Sequence, residues 1–268
     1  MKERNLKSHS FQQFLESLQA RGLLHFTSQD YQDATGLKEH AAWASIRRAR
    51  ESGKIATPYR GFHAIVPPQY RAIGCLPAEQ FVPELMQFLA EPYYVGLLSA
   101  AAYHGAAHQA PQEYQVFVKK NRPPIEVGKV RVSFIARNNI EQMPLVNIQT
   151  SQGQLSVSTP ELTAFDLVGY VDHAAGIDHV ATVLSELAEK ISSPKLRDIA
   201  SIAGPIRWSQ RLGYLLQKVG AKSKAHALAQ YIDEQSPRYS KLVQQGPSEG
   251  DKDKIWRLIV NAEIEPDL

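Results

Sequence analysis

The sequence predicts an α+β protein. Three short helices and a hairpin reach to about residue 66, and a larger mixed α/β domain with a helical C-terminal part follows. Three observations predict this. Glycines fall just after short apolar-periodic segments in the first 60 residues, as helix stops do. Short β-branched and aromatic runs then alternate with helical patterns in the middle of the chain. Beyond residue 177 the apolar spacing is almost wholly helical.

The elements follow in order. Ser10–Arg21 carries Phe11, Phe14, Leu15 and Leu18 at helical spacing, and Gly22 stops it. Leu23, Leu24 and Phe26 form a short extended link. Thr27-Ser28-Gln29-Asp30 reads as a helix start, with a hydroxyl cap and an acid near the positive end of the dipole. That helix turns Tyr31 and Ala34 inward and ends at Gly36. A third helix runs from near Lys38 to Ser52, with Leu37, Ala41 or Ala42, Ile46 and Ala49 as its expected inward stripe. Residues 54–56 are extended, Pro58-Tyr59-Arg60-Gly61 is a turn, and Phe62-His63-Ala64-Ile65-Val66 returns as a strand. Pro67, Pro68, Gly74 and Pro77 punctuate an expected linker, so the expected domains are 1–72 and 78–268.

In the larger domain, helices are expected over 83–90 and 95–104, and strands over 114–119, 130–135, 145–149 and 155–158. Thr159-Pro160-Glu161 starts a helix in good order: a cap, proline in the first turn, then an acid. Helices are expected at 178–190, 194–203, 206–219 and 223–231, with a last extended segment at 254–263.

Composition excludes several classes. Hydrophobic residues make up 43 % and charged residues 21 % of the 268, which fits a folded globular chain. No apolar run reaches the roughly 18 residues of a membrane span. The first residues show no apolar core or cleavage signal of a secretion leader. Cys75 is the single cysteine, which excludes a disulfide framework and a cysteine-built zinc site. The expectation is a cytoplasmic protein that meets no membrane. Net charge is +3, but residues 1–72 hold 11 basic against 6 acidic residues and the remainder is slightly acidic. A basic end on a near-neutral body points to a polyanion as partner.

Helix, tight glycine turn, helix and hairpin together make the pattern of a winged helix-turn-helix, which lays its second helix in the DNA major groove. The candidate DNA-binding residues are Lys38, Glu39, His40, Trp43, Arg47, Arg48 and Arg50 on that helix, with Tyr59 and Arg60 at the wing tip. Arginine offers a two-pronged contact to guanine or phosphate, and an exposed Trp43 calls for a contact of its own. The alternative is a small helical subdomain with Trp43 in a packing seam. Other chemistry is thin. His104 and His108 have helical metal-ligand spacing, but Gly105 intervenes and a third ligand is lacking, so no metal is expected. Ser99 and Cys75 sit in no nucleophile-elbow sequence. Phosphate-cradling glycine loops are absent. Glu161 and Asp166 lie five apart on one helix and share no face. Neither catalysis nor a cofactor is expected.

Several segments coincide in order and spacing: Arg60-Gly61-Phe62-His63-Ala64-Ile65, then Tyr94-Val95-Gly96-Leu97-Leu98-Ser99-Ala100-Ala101-Ala102-Tyr103-His104-Gly105, then Ser158-Thr159-Pro160-Glu161-Leu162-Thr163-Ala164-Phe165-Asp166-Leu167-Val168, a Gly176-Ile177-Asp178 loop, and Arg211-Leu212-Gly213-Tyr214-Leu215-Leu216. Together they resemble the AbiEi family of antitoxins from bacterial abortive-infection, type IV toxin–antitoxin systems, over about residues 10–220. The resemblance implies a winged-helix repressor of its own operon joined to an antitoxin domain, acting in phage defence. Its partners would be operator DNA and a nucleotidyltransferase-like toxin, countered without a required stable complex. Two other readings compete. One is a winged-helix transcriptional regulator whose C-terminal domain senses a ligand or partner, with no toxin. The other is a nucleic-acid-processing enzyme, which ranks last because Lys119 and Lys120 lack paired carboxylates nearby.

Overall fold

The structure is a computed structural model and describes residues 10–106 and 111–266. Along the chain run α1 (Phe11–Gln19), β1 (His25–Thr27), α2 (Ser28–Thr35), α3 (Glu39–Glu51), β2 (Ile55–Tyr59), β3 (Phe62–Ile65), α4 (Val82–Phe88), β4 (Tyr93–Val95), α5 (Leu97–Tyr103), β5 (Tyr114–Val118), β6 (Ile125–Val127), β7 (Val130–Ala136), β8 (Leu145–Thr150), β9 (Gly153–Ser158), α6 (Pro160–Gly169), α7 (Ile177–Leu187), α8 (Ser193–Ala203), α9 (Ile206–Lys218), α10 (Lys222–Gln235), β10 (Ser240–Lys241), β11 (Asp251–Asp253) and β12 (Leu258–Val260). The α+β class is as expected. Among the described residues three sheets form, in the orders β1-β3-β2, β6-β7-β5-β4-β9-β8 and β10-β12-β11. By contact density the chain divides into two units. The first comprises 1–93, 112–137 and 147–156; the second comprises 94–111, 138–146 and 157–268.

In the first unit the local chemistry sets the helix ends. Ser10 caps α1 by accepting from the Gln13 amide. Thr27 and Asp30 cap α2 reciprocally: the Thr27 hydroxyl accepts from the Asp30 amide and the Asp30 carboxylate accepts from the Thr27 amide. Gly36 closes α2 at φ +71, a conformation costly for a side-chain-bearing residue, and so permits the tight turn into α3. Strand β3 lies between β1 and β2, antiparallel to both.

This small sheet is buried on both faces. Phe26, Ile55 and Ile65 pack with Phe14, Leu15, Leu18, Tyr31, Ala42, Ile46 and Ala49 of the helices. Ala56, Phe62, Ala64 and Val66 turn the other way, onto Leu76, Phe81, Val82, Leu85, Met86, Val116, Val118 and Val132. The Pro- and Gly-marked stretch expected as a linker supplies Cys75, Leu76 and Ala78 to that second cluster. Strands β5 and β7 are parallel in register from Tyr114↔Val132 to Val118↔Ala136, and β6 pairs antiparallel with β7.

In the second unit α6 is the central helix. Residues 161–168 are buried without a break, and α5, α7, α8 and α9 pack around it. A helix apolar on all sides needs cover on all sides. Its polar members are satisfied internally. The Tyr94 hydroxyl donates to Asp166 at 3.0 Å, and Glu161 accepts from the Ser192 amide at 2.9 Å. Strand β12 pairs parallel with β10 and antiparallel with β11. The last extended segment expected at 254–263 is thus a turn followed by β12. The short strands β6 and β10 were not expected. Among the described residues no helix is long and apolar enough to cross a membrane.

Candidate nucleic-acid interface

Helix α3 exposes the residues that the sequence put forward. Lys38 is the N-cap residue rather than the first helical residue, and its side chain caps nothing. Glu39, His40, Trp43, Arg47, Arg48 and Arg50 are all exposed, and Trp43 keeps 44 % of its surface in solvent. At about 100° per residue, Glu39, Trp43, Arg47 and Arg50 form one stripe within about 80° of helix surface, with His40 at its outer edge. Arg48 is turned about 140° from Trp43. It donates to Ser45 at 3.3 Å and lines a groove with Phe11, Tyr31 and Lys54. The structure therefore groups Trp43, Arg47 and Arg50 and sets Arg48 apart.

One expectation about the inward stripe needs correction, and one open choice is decided. Leu37 is 38 % exposed, because it sits in the turn before α3 begins. Of the pair Ala41 and Ala42, only Ala42 is buried.

The stripe is cationic and lightly tethered. Arg47 reaches Glu51 at 3.7 Å, one turn on, with both side chains largely in water. Such a pair is easily exchanged for a phosphate contact. Arg50 makes no hydrogen bond or ion pair among the described residues, and its charge bears on His63 of β3. Arg50 is therefore on the hairpin side of α3. At the hairpin tip Gly61 holds φ +84 and Arg60 is exposed. Tyr59 behaves differently from a free wing-tip residue. Its ring meets Phe88 of α4 edge-on at 6.4 Å, and Phe88 in turn packs against Phe62 at 5.8 Å.

His63 is a residue the sequence reading did not single out. It is 3 % exposed, bonded through Nε2 to the Ser28 hydroxyl at 2.9 Å and through Nδ1 to Thr57 at 3.0 Å. Burial first, and the Arg50 charge second, lower its pKa from 6.5 to about 4. The imidazole is thus neutral at ordinary pH and ties the start of α2 to the hairpin. A polar residue inside the apolar run Phe62–Val66 was the signal available in the sequence.

The candidates for catalysis are occupied or shut away. Cys75 is fully buried, and that burial pushes its thiol to about 12. Ser99 is buried at 3 % exposure. His104 bonds the Ser158 carbonyl at 2.7 Å; His108 lies outside the described residues. Among the described residues no group of three metal-ligating side chains forms.

Comparison with known proteins bears on both halves of this picture. The RV2827C protein from Mycobacterium tuberculosis, known from its crystal structure, superposes with a TM-score of 0.65 over 91 % of this chain and 89 % of that one, at 18 % identity. That likeness extends to the fold. No curated protein matches significantly. The family model for the AbiEi antitoxin C-terminal domain matches residues 94–218. The matched span starts with Tyr94 and takes in α5 through α9, including the buried Tyr94–Asp166 pair. The residues that assemble around α6 are therefore similar to the AbiEi antitoxin C-terminal domain.

Proposed function

We propose that this chain is the antitoxin of a type IV, abortive-infection toxin–antitoxin system and that it also represses its own operon. In this reading residues 10–66 act as a winged helix-turn-helix on operator DNA. The second unit counters a nucleotidyltransferase-like toxin without needing a stable complex with it. The single observation that carries the antitoxin role is the family match over residues 94–218. Support for the DNA role is the order helix, helix, hairpin with a cationic, aromatic stripe left in solvent on the second helix of the pair. No nucleophile or metal cluster among the described residues favours an enzyme reading.

In this reading Arg47 and Arg50 contact bases or phosphates, and the first turn of α3, with Lys38 beside its free amides, sits against the backbone. Arg60 reaches the flanking phosphate. The test is growth rescue. The full chain is co-expressed with a nucleotidyltransferase-like toxin, each from an unrelated promoter. Protection is expected. Absence of protection would instead favour a ligand-sensing regulator with no toxin.

A further inference from the structure

Arg211 is a buried charge with no counter-charge among the described residues. It lies on α9 and is 6 % exposed. Its Nε donates to the Lys241 carbonyl at 3.1 Å and its Nη2 to the Gln244 side-chain oxygen at 2.9 Å. A guanidinium has five N–H donors, so more than half of them have no acceptor among the described residues. No carboxylate pairs with it among the described residues. Burial holds its pKa below the usual value, with the nearby Arg207 charge adding to the effect. Charges in protein interiors are normally paired, because desolvation is otherwise uncompensated.

Arg211 lines a cavity of about 400 Å³ together with residues 169–173, 176–177 and 242–245. That is the size of a small-ligand site. The cavity also reaches Gly176 and Ile177, the N-cap and first residue of the 11-residue helix α7. No side chain caps this terminus, so its first amides point a partial positive charge outward. Asp178 in the first turn does not neutralise it from within the cavity; its carboxylate accepts from the Glu265 amide at 3.0 Å. His173 and Gln244 add polar groups, and Tyr170, braced edge-on by Trp208 at 5.4 Å, supplies an aromatic wall. Asp172 lines the cavity too, but it is exposed and makes no ion pair with Arg211.

We propose that this cavity binds a small molecule through an oxyanion, a phosphate or a carboxylate, held between the Arg211 guanidinium and the N-terminus of α7. Such a ligand supplies the missing counter-charge and uses the free donors. The inference concerns the second unit alone and holds whether or not the hairpin half binds DNA.

Inorganic phosphate and succinate serve as probes of the two oxyanion types, titrated into the full chain at constant ionic strength with chloride as control. Binding is followed by calorimetry and by melting temperature. One of the two probes should bind saturably and raise the melting temperature beyond the chloride control. Whichever probe binds identifies the head group. The decisive variant is Gln244→Glu, which sets a carboxylate against the guanidinium from within. It should keep the fold and melt higher without ligand, and its probe affinity should fall at least tenfold. Arg211→Gln should also lose binding; should that variant not fold, Gln244→Glu still decides. The proposal is overturned if neither probe exceeds the chloride control, or if Gln244→Glu binds as the parent does.

Discussion

Lowering the pH should weaken the first unit through His63 in particular. The neutral imidazole is favoured in the fold: its pKa there is about 4 against an ordinary 6.5. Its contribution is therefore fully present above pH 6.5 and is lost as pH falls toward 4, because the unfolded chain takes up the proton first. At about 1.4 kcal/mol per pH unit, the whole gap corresponds to about 3 kcal/mol. Between pH 7.5 and pH 5 the loss is about 2 kcal/mol. The other histidines titrate too, so the parent is compared with His63→Gln, whose amide can bond both Ser28 and Thr57. Urea denaturation of each across pH 5–7.5 isolates the difference. The parent should lose about 2 kcal/mol more than the variant over that range. Equal pH slopes for the two proteins would refute the reasoning, as would an NMR titration placing His63 near 6.5.

Three further outcomes are expected. Arg47→Ala with Arg50→Ala should weaken operator binding by about 1–3 kcal/mol for each lost two-pronged contact, with unchanged melting, and Arg60→Ala should lower the salt slope by about one; gel shifts at several salt concentrations read both. Gly213→Ala should destabilise the second unit although alanine is the better helix former, because a methyl there overlaps the buried Trp256 ring; about 1–3 kcal/mol of overpacking outweighs about 1 kcal/mol of propensity in thermal melts. Tyr94→Phe should cost about 1–2 kcal/mol, since fully buried Asp166 loses its hydroxyl donor, and denaturant titration measures it.

Much of the first 60 residues was legible because the signals are local. Thr27 and Asp30 sit three apart and cap each other; Gly36 and Gly53 end helices whose apolar spacing is clean. Pro160 after Thr159 likewise marked the start of α6. What the sequence did not disclose directly depends on distant partners. Residues 67–80 look like a linker because prolines and glycines mark them, yet Cys75 and Leu76 fill a cluster with Val116 and Val132 far along the chain. A hint was present in Phe62-His63-Ala64-Ile65-Val66. A strand apolar on both faces must be covered on both, so the hairpin could not stand in solvent on one side. Strands β6 and β10 have three and two residues, too few for periodicity to register.

The candidate interface was legible to the same extent. Helical spacing placed Trp43, Arg47 and Arg50 in solvent, because Ala42, Ile46 and Ala49 define the opposite face. The same spacing turns Arg48 away from Trp43; that it lines a groove with Phe11 and Lys54 depends on how the helices dock. Spacing did not find Phe88 against Tyr59, which is a tertiary contact between residues 29 apart. In the sequence Arg211 stands out only as part of the segment Arg211-Leu212-Gly213-Tyr214-Leu215-Leu216. Its uncompensated burial is visible only once Lys241 and Gln244 fold back onto α9.

In the proposed function one chain neutralises a toxin independently of reading DNA. The most direct measurement is growth of cells making the toxin from an unrelated promoter and supplied with the full-length Arg47→Ala, Arg50→Ala double variant. Protection equal to that by the parent chain is expected, because the match to the antitoxin domain begins at residue 94, well beyond α3. Protection by the parent but not by the variant would contradict it and make the cationic stripe part of neutralisation itself.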